Sequence, residues 1–555
     1  MSFATRLRPP VPIGLRRFAA RATTVLAALF VLFVLVAPSD FDRFTPSAFL
    51  RIPVEGLLGV LLLLVLPDRP RRVVAVLGGV GLGLLAIVKI LDIGFDAVLY
   101  RPFDLVLDWP LFGPAVDYVD VTIGRVGAIA TVVLAVLLVG VVVLLTTLSV
   151  LRLTRIALRR RTGAMRSVAV LTVACVTFAV PGGQIIPSLP VVSDTAAAFV
   201  YGHARQVRAG LHDQQAFAAE ASVDAFRDVP AADLLTGLRG KDVMLTFVES
   251  YGRSAVEHPD LAPGVTAVLD AGTERLRSLG YASRSAFLTS PTVGGGSWLA
   301  QATLLSGLWI DNQQRYRNLT TSDRLSLPSA FGKADWRSVG VVPGITQAWP
   351  EGEYFKYQHI YTGGNLGYQG PRFGYATMPD QYTLSAFQRA ERTADHSPVM
   401  ATIPLLSSHA PWSPIPSQID WNAVGDGSVY QAMQSGADPP ESIFGRDPKQ
   451  VRADYGRSIE YSLNNLISYV ENYGDDNLVL VFLGDHQPAQ IVTGEGAAKD
   501  VPITIVARDR AVMDRISSWG WDEGLKPSPQ APVTRMNEFR DKFLTAFGSQ
   551  APLAR

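Results

Sequence analysis

With 555 residues, 48% of them hydrophobic, and a mean hydropathy of +0.21, the chain is too apolar for one soluble protein. It is long enough for a membrane part plus a domain of a few hundred residues. A formal net charge of +1 gives no sign of a nucleic-acid partner or a dominant acidic one, and the single cysteine, Cys175, excludes an internal disulfide framework and a thiolate metal site.

Five apolar runs occupy the first third, over residues 22–38, 49–66, 73–95, 126–150 and 167–187. Each is near the ~20 residues that cross a bilayer as a helix, and the fourth is 25 residues without a charge. Residues 1–40 alone could be a signal peptide, with Arg16, Arg17 and Arg21 before an apolar core. Four more runs follow at once, so a retained first helix is the better reading. Arginines gather at the N-terminus (Arg6, Arg8, Arg16, Arg17, Arg21), between runs two and three (Arg69, Arg71, Arg72) and between runs four and five (Arg152 to Arg166). The alternate loops are acidic or nearly neutral. This asymmetry predicts a cytoplasmic N-terminus and an extracytoplasmic remainder after run five. Lys89 and Asp92, three apart near the outer end of run three, read as an interfacial ion pair rather than a transport relay.

Three regions result: a five-helix membrane domain over 1–187, a juxtamembrane helical connector over 188–240, and an external catalytic domain over 241–555. Within the connector the composition predicts a helix over 195–227. From Lys241 strands alternate with helices, the signature of an α/β domain with a largely parallel sheet. Strands are expected at 243–248, 281–288, 336–342, 398–406, 477–483 and 501–507, and helices at 265–279, 453–473 and 535–547. The stretch 411–450 is rich in Pro, Gly, Ser and Asp without periodicity, and reads as a long loop over the site.

In open parallel sheets, ligands bind beyond the carboxyl ends of the strands. Glu249 ends the first strand, His409 follows Leu406-Ser407-Ser408, and Gly484-Asp485-His486 closes the strand at 477–483. Carboxylate oxygen plus imidazole at a strand end suits zinc or manganese. Between these points lies Gly294-Gly295-Gly296-Ser297, followed by an apolar helical pattern. Glycines let the backbone turn tightly and a substrate approach closely. A helix starting there aims free N–H groups and a positive dipole end at whatever sits beside Ser297. That suits a serine attacking a phosphate, whose oxygens gain charge in the transition state. A capped glycine loop is the plain alternative for the motif alone; three complementary groups at three strand ends argue against it.

Val248-Glu249-Ser250, Gly296-Ser297-Trp298, Ser408-His409-Ala410-Pro411 and Gly484-Asp485-His486 occur in the order and at about the spacing of the sulfatase-like alkaline phosphatase superfamily. With five membrane helices before an external domain, the chain resembles the lipoteichoic acid synthases and related phosphoglycerol transferases. The resemblance covers essentially the whole chain. It implies that Glu249, Ser297, Asp485 and His486 hold one divalent metal, manganese first, with zinc or magnesium as alternatives. It makes Ser297 the nucleophile and His409 a contact to the phosphoglycerol head. The chain departs from the pattern twice. Serine stands where the best-known synthases carry threonine, a chemically equivalent change. The family's Trp-x-Arg contact falls near Trp349-Pro350-Glu351, which keeps tryptophan and lacks arginine; Lys356, Arg315 or Arg372 are the candidates to replace it.

The expected activity is a transfer of phosphoglycerol from a phosphatidylglycerol-type lipid, through a Ser297 ester, to a cell-envelope glycan or glycolipid at a bacterial plasma membrane. A metal-dependent phosphodiesterase or phosphatase, or a phosphoethanolamine transferase, is the alternative enzyme reading. A sulfatase is excluded, because Ser297 lacks the Cys/Ser-x-Pro-x-Arg setting that formylglycine formation needs. A non-catalytic binding module is the alternative from another class.

Overall fold

The computed structural model describes residues 13–39, 44–45, 49, 51–99, 102–179, 192–193, 195–346, 348–436, 445–494 and 496–549. The chain divides into two compact units, Met1–His212 and Asp213–Arg555.

The first unit is helical: α1 (Ile13–Val36), α2 (Val54–Val65), α3 (Asp68–Leu99), α4 (Phe112–Arg159) and α5 (Arg161–Ala179). A sixth helix, α6 (Thr195–Ser222), contains the boundary between the units. Every apolar run carries a helix, but among the described residues only three stretches are long and apolar enough to cross a membrane. These are Arg17–Val36, Asp68–Asp96 and Ile123–Arg159. The second run folds as 12 residues, and the end of the fifth, 180–187, lies outside the described residues, as do Arg6 and Arg8. Many apolar side chains of α4, among them Val126, Leu134 and Val136, are exposed, as a lipid-facing surface requires.

The expected Lys89–Asp92 ion pair is replaced by two separate clasps. Lys89 Nζ donates to the carbonyls of Val34 (3.0 Å) and Ala37 (2.7 Å) at the end of α1. Asp92 accepts from Phe103 N (3.0 Å) and lies 3.1 Å from His203 Nε2 on α6. The last carbonyls of a helix lack intrahelical partners and carry negative partial charge, so a buried ammonium is better placed there than on its i+3 neighbour.

The second unit is built on a nine-stranded sheet. In chain order its strands are β1 (Asp242–Val248), β2 (Ala282–Thr289), β3 (Arg337–Val342), β4 (His359–Thr362), β5 (Val399–Leu405), β6 (Leu478–Gly484), β7 (Asp500–Ala507), β8 (Asp522–Glu523) and β9 (Val533–Arg535). Their spatial order is β8-β2-β7-β6-β1-β5-β3-β4, with β9 also pairing β2. The run β6-β1-β5-β3-β4 is parallel throughout. β7 is antiparallel to both its neighbours, and β8 is antiparallel to β2.

The helices that concern the site are α7 (Ala262–Ser278), α8 (Ser297–Ser306), α9 (Gln313–Thr320), α10 (Asp380–Glu391), α11 (Pro448–Tyr473) and α12 (Phe539–Phe547). β1 is buried at every position. Its side chains alternate between two cores: Val243, Leu245 and Phe247 join α8 and α12 on one face, while Met244 and Val248 join α7 and α11 on the other. A sheet covered on both faces explains why its central strands read as unbroken apolar runs. The stretch 411–450 has internal order. Two 3₁₀ turns, Trp421–Ala423 and Ser428–Ala432, bring Val424 and Tyr430 onto Phe373, Met378 and Tyr382 in a small core of their own. Residues 437–444 of it lie outside the described residues.

Candidate metal and nucleophile site

The register of the central strands brings the site together. Val248 of β1 lies opposite both Gly484 of β6 and Leu405 of β5. The residues that follow, Glu249, Asp485 and the Leu406–His409 turn, therefore emerge at one end of the sheet. Two backbone features make this crossing tight. Ser250 adopts a left-handed φ of 58°, and its N–H donates to Asp485 Oδ1 at 2.8 Å. A Cβ on Gly484 would stand 1.8 Å from the Tyr251 carbonyl oxygen, so only glycine fits before the Asp-His pair.

Ser297 is the first residue of α8, and Gly296 before it has φ 78°. The serine thus sits where the helix's first N–H groups lack intrahelical acceptors. Its Oγ donates to Glu249 Oε2 at 2.9 Å and lies 3.2 Å from His486 Nε2. His486 Nε2 is also 3.2 Å from Glu249 Oε1 and 3.8 Å from Asp485 Oδ2. Glu249, Asp485 and His486 are all buried, and each offers a ligand atom within 4.8 Å of the others.

The donor set fits a divalent cation. Asp485 Oδ1 accepts two backbone N–H groups, from Ser250 and His486, while its Oδ2 is buried with no hydrogen-bond partner. A buried, unsatisfied carboxylate oxygen facing an imidazole nitrogen and a second carboxylate is costly unless a cation joins them. His486 Nδ1 lies 2.8 Å from the Gln487 carbonyl, which orients the ring and leaves Nε2 for coordination. Burial works against ionisation of Glu249, yet the bond and charge of His486, and the charge of His409, hold its carboxyl well below the usual range. Burial and the Glu249 charge push Asp485 up to about 7. Burial opposes a charge on His486, but Asp485 and Glu249 outweigh it and raise the ring to about 9.

His409 stands beside this group. Its ring stacks on Tyr375 with centroids 4.0 Å apart and 18° between planes. The turn that carries it is fixed by buried Asp380, whose Oδ1 accepts Leu406 N and Ser407 N, both at 2.9 Å. Ser462 Oγ donates to Asp380 Oδ2 at 2.5 Å, and Ser408 Oγ donates to the Glu249 carbonyl at 2.6 Å. One network therefore aligns the His409 turn with the end of β1.

The four candidates for substrate contact are placed differently. Trp349 packs against Phe355, ring centroids 5.8 Å apart. Arg315 is engaged by Asp213, with Nε donating at 2.8 Å and Nη2 bonded to the other oxygen, and by the Trp309 carbonyl at 2.8 Å. Its guanidinium ties α9 to the end of α6. Lys356 is exposed, with a left-handed φ of 54°. Arg372 is exposed three residues before Tyr375. Of these, Arg372 lies on the segment that reaches His409. Sequence reasoning missed Ser250, Tyr375 and Asp380. A serine and a tyrosine carry no local signal for such roles, and Asp380 reads as the first residue of an ordinary helix.

No protein-family model matches the chain, and no curated protein matches it in sequence. Its structure is similar to solved members of the sulfatase-like alkaline phosphatase superfamily, among them phosphoglycerol transferases, phosphoethanolamine transferases and sulfatases. One is the lipoteichoic acid synthase LtaP from Listeria monocytogenes, at 14% identity over 56% of this chain and 73% of that one, TM-score 0.37. A second is the Streptococcus pyogenes phosphoglycerol transferase GacH in complex with sn-glycerol-1-phosphate, at 12% identity over 61% and 80%, TM-score 0.38. A third is the periplasmic domain of EcEptC from Escherichia coli in complex with zinc, at 13% identity over 56% and 83%, TM-score 0.37.

Proposed function

We propose that this chain is a membrane-anchored, metal-dependent phosphoglycerol transferase with its catalytic unit on the extracytoplasmic side. The observation that carries the reading is the position of Ser297 Oγ: 2.9 Å from Glu249 Oε2, 3.2 Å from His486 Nε2, and at the start of a helix. One divalent ion, manganese or zinc, held by Glu249, Ser297, Asp485 and His486, would lower the pKa of the serine hydroxyl and offset charge on the phosphoryl oxygens. Ser297 Oγ then attacks the phosphorus of a phosphatidylglycerol-type lipid. The new bond is Oγ–P; the bond broken joins phosphorus to the diacylglycerol oxygen. One proton leaves Ser297 and one is taken up by the departing diacylglycerol. Free N–H groups at the head of α8 receive the phosphoryl oxygens. His409, held by its turn and by Tyr375, contacts the glycerol head. In the second half an acceptor hydroxyl of a cell-envelope glycan or glycolipid attacks the same phosphorus, and its proton returns to Ser297 Oγ as the Oγ–P bond breaks.

The test is direct. Full-length protein incubated with phosphatidylglycerol and no acceptor should carry a phosphoglycerol mass on the peptide containing Ser297. Ser297→Ala should lose turnover by at least about 10⁴-fold, and Ser297→Thr should retain measurable turnover. An unmodified wild-type peptide together with full turnover in Ser297→Ala would remove the covalent route and leave a hydrolase that uses water directly.

A further inference from the structure

A groove of about 710 Å³ runs between helix α11 and the segment that follows His409. Its polar lining includes Ser413, Ser417, Gln434, Arg457, Glu460 and Asn464, and its apolar walls include Ile415, Met433 and Tyr461. Three links tie it to the candidate site. Ser413 is four residues beyond His409. A Cβ on Gly374 would lie 3.9 Å from both Pro411 Cδ and the Ser413 carbonyl oxygen, and the next residue is Tyr375, stacked on His409. Gly436, two residues beyond the lining residue Gln434, exchanges backbone hydrogen bonds with Arg372 (3.0 Å) and Gly374 (2.9 Å). One short segment, 372–375, thus borders both the groove and the histidine.

The lining indicates the ligand's chemistry. It holds one cation and one anion, Arg457 and Glu460, and the Arg457 guanidinium already pairs with Asp454. A polyanionic chain meets no positive field there. Amide and hydroxyl groups that both donate and accept, set between aliphatic and aromatic walls, match a molecule with many hydroxyls and apolar ring faces. Tyr375, 45% exposed and stacked on His409, adds an aromatic ring next to Gly374 on the segment that reaches Ser413.

We infer that this groove seats the acceptor of the proposed transfer, that the acceptor is a neutral oligosaccharide or glycan chain, and that it presents one hydroxyl toward Ser297. The inference rests on the transferase reading above. The reaction it implies is the second half-step: a sugar hydroxyl oxygen forms the new bond to phosphorus, its proton passes to Ser297 Oγ, and the Oγ–P bond breaks. The product is a glycan bearing a phosphoglycerol ester.

The experiment uses full-length protein in vesicles containing a labelled phosphatidylglycerol. Diacylglycerol release is measured alone, with a mixture of maltotriose and isomaltotriose, and with oligomeric glycerol phosphate. The oligosaccharides should accelerate release saturably and gain a phosphoglycerol mass; glycerol phosphate should do neither. Asn464→Trp, which fills the groove from α11, should raise the half-saturating oligosaccharide concentration at least tenfold and leave release to water within twofold. Ser417→Trp, on the exposed opposite wall, should do the same if the helix substitution harms folding. An unresponsive wild type, a response to glycerol phosphate in place of sugar, or an oligosaccharide effect that survives both tryptophan variants would overturn the inference. Absence of any diacylglycerol release from wild type, even to water, would overturn the transferase reading itself.

Discussion

Asp485 Oδ2, buried without a partner, faces the Nε2 of His486, whose pKa the neighbouring carboxylates raise to about 9. Metal must displace the protons on Asp485 and His486, so its affinity should rise with pH from about 6 to about 9, with protons released on binding. Titration calorimetry in buffers of different ionisation enthalpy would read that release; a pH-independent affinity would show that these groups are not the ligands. Asp485→Ala should cost more than the roughly 10–100-fold in metal affinity that a lost partner behind a ligand costs. Full metal content in that variant would remove Asp485 from the set. At this scale much of the site is legible in the sequence, because each group carries a local marker. Glycines precede Ser297, and an apolar run with a terminal glycine precedes Asp485-His486. Residues whose role depends on a distant partner have no such marker. Ser250 turns left-handed to meet Asp485, 235 residues away. Arg315 looks like a phosphate ligand until Asp213, 102 residues earlier, is seen to hold it.

Among the elements, the turn after β5 depends most on a single buried charge. Asp380 at the head of α10 accepts two backbone N–H groups and the Ser462 hydroxyl. Asp380→Ala would leave the N–H groups of Leu406 and Ser407 buried and unpaired, a loss of about 3 kcal/mol or more, and would release the His409 turn. Ser462→Ala, which removes one bond, should cost about 1 kcal/mol. Thermal unfolding of both variants checks the ranking, and equal losses would refute it. At the opposite end of β1, His396 bonds Asp242 at 2.7 Å and the Thr393 carbonyl at 2.6 Å. Burial works against its charge, but these bonds outweigh it and raise its pKa. A raised folded-state pKa contributes stability that is present below the unfolded value, about 6.5, and lost as pH rises through the folded value. The gap in unfolding temperature between wild type and His396→Gln should therefore shrink as pH rises above the unfolded value of about 6.5. The six long strands were legible from apolar runs of the right length. β4, β8 and β9 were not, since two to four residues are too few for a period to show.

At the scale of the whole molecule, arginine asymmetry makes one prediction about orientation, which the proposed extracytoplasmic function shares. Reporters fused after Arg72 and after Arg161 should report cytoplasm, and those after Asp108 and after Gly240 the outside. An external signal at Arg161 would reverse the orientation. Hydropathy identified the apolar helices α1 to α5 and overstated the length of α2, which has 12 residues.

β6 pairs with β1 on one side and β7 on the other, at the centre of the sheet, yet it is only the sixth of the nine strands to be synthesised. Ser297 precedes His486 by 189 residues. At ~5–20 residues per second, a growing chain carries its serine for about 10–40 s before the histidine exists. A ribosome-bound or prematurely ended chain has Glu249 and Ser297 but neither Asp485 nor His486, and its β1 lacks one neighbour. In the proposed transferase, Ser297 would therefore gain its full set of candidate metal ligands only after synthesis has passed His486, and a shorter chain would present the lipid with an unarmed serine.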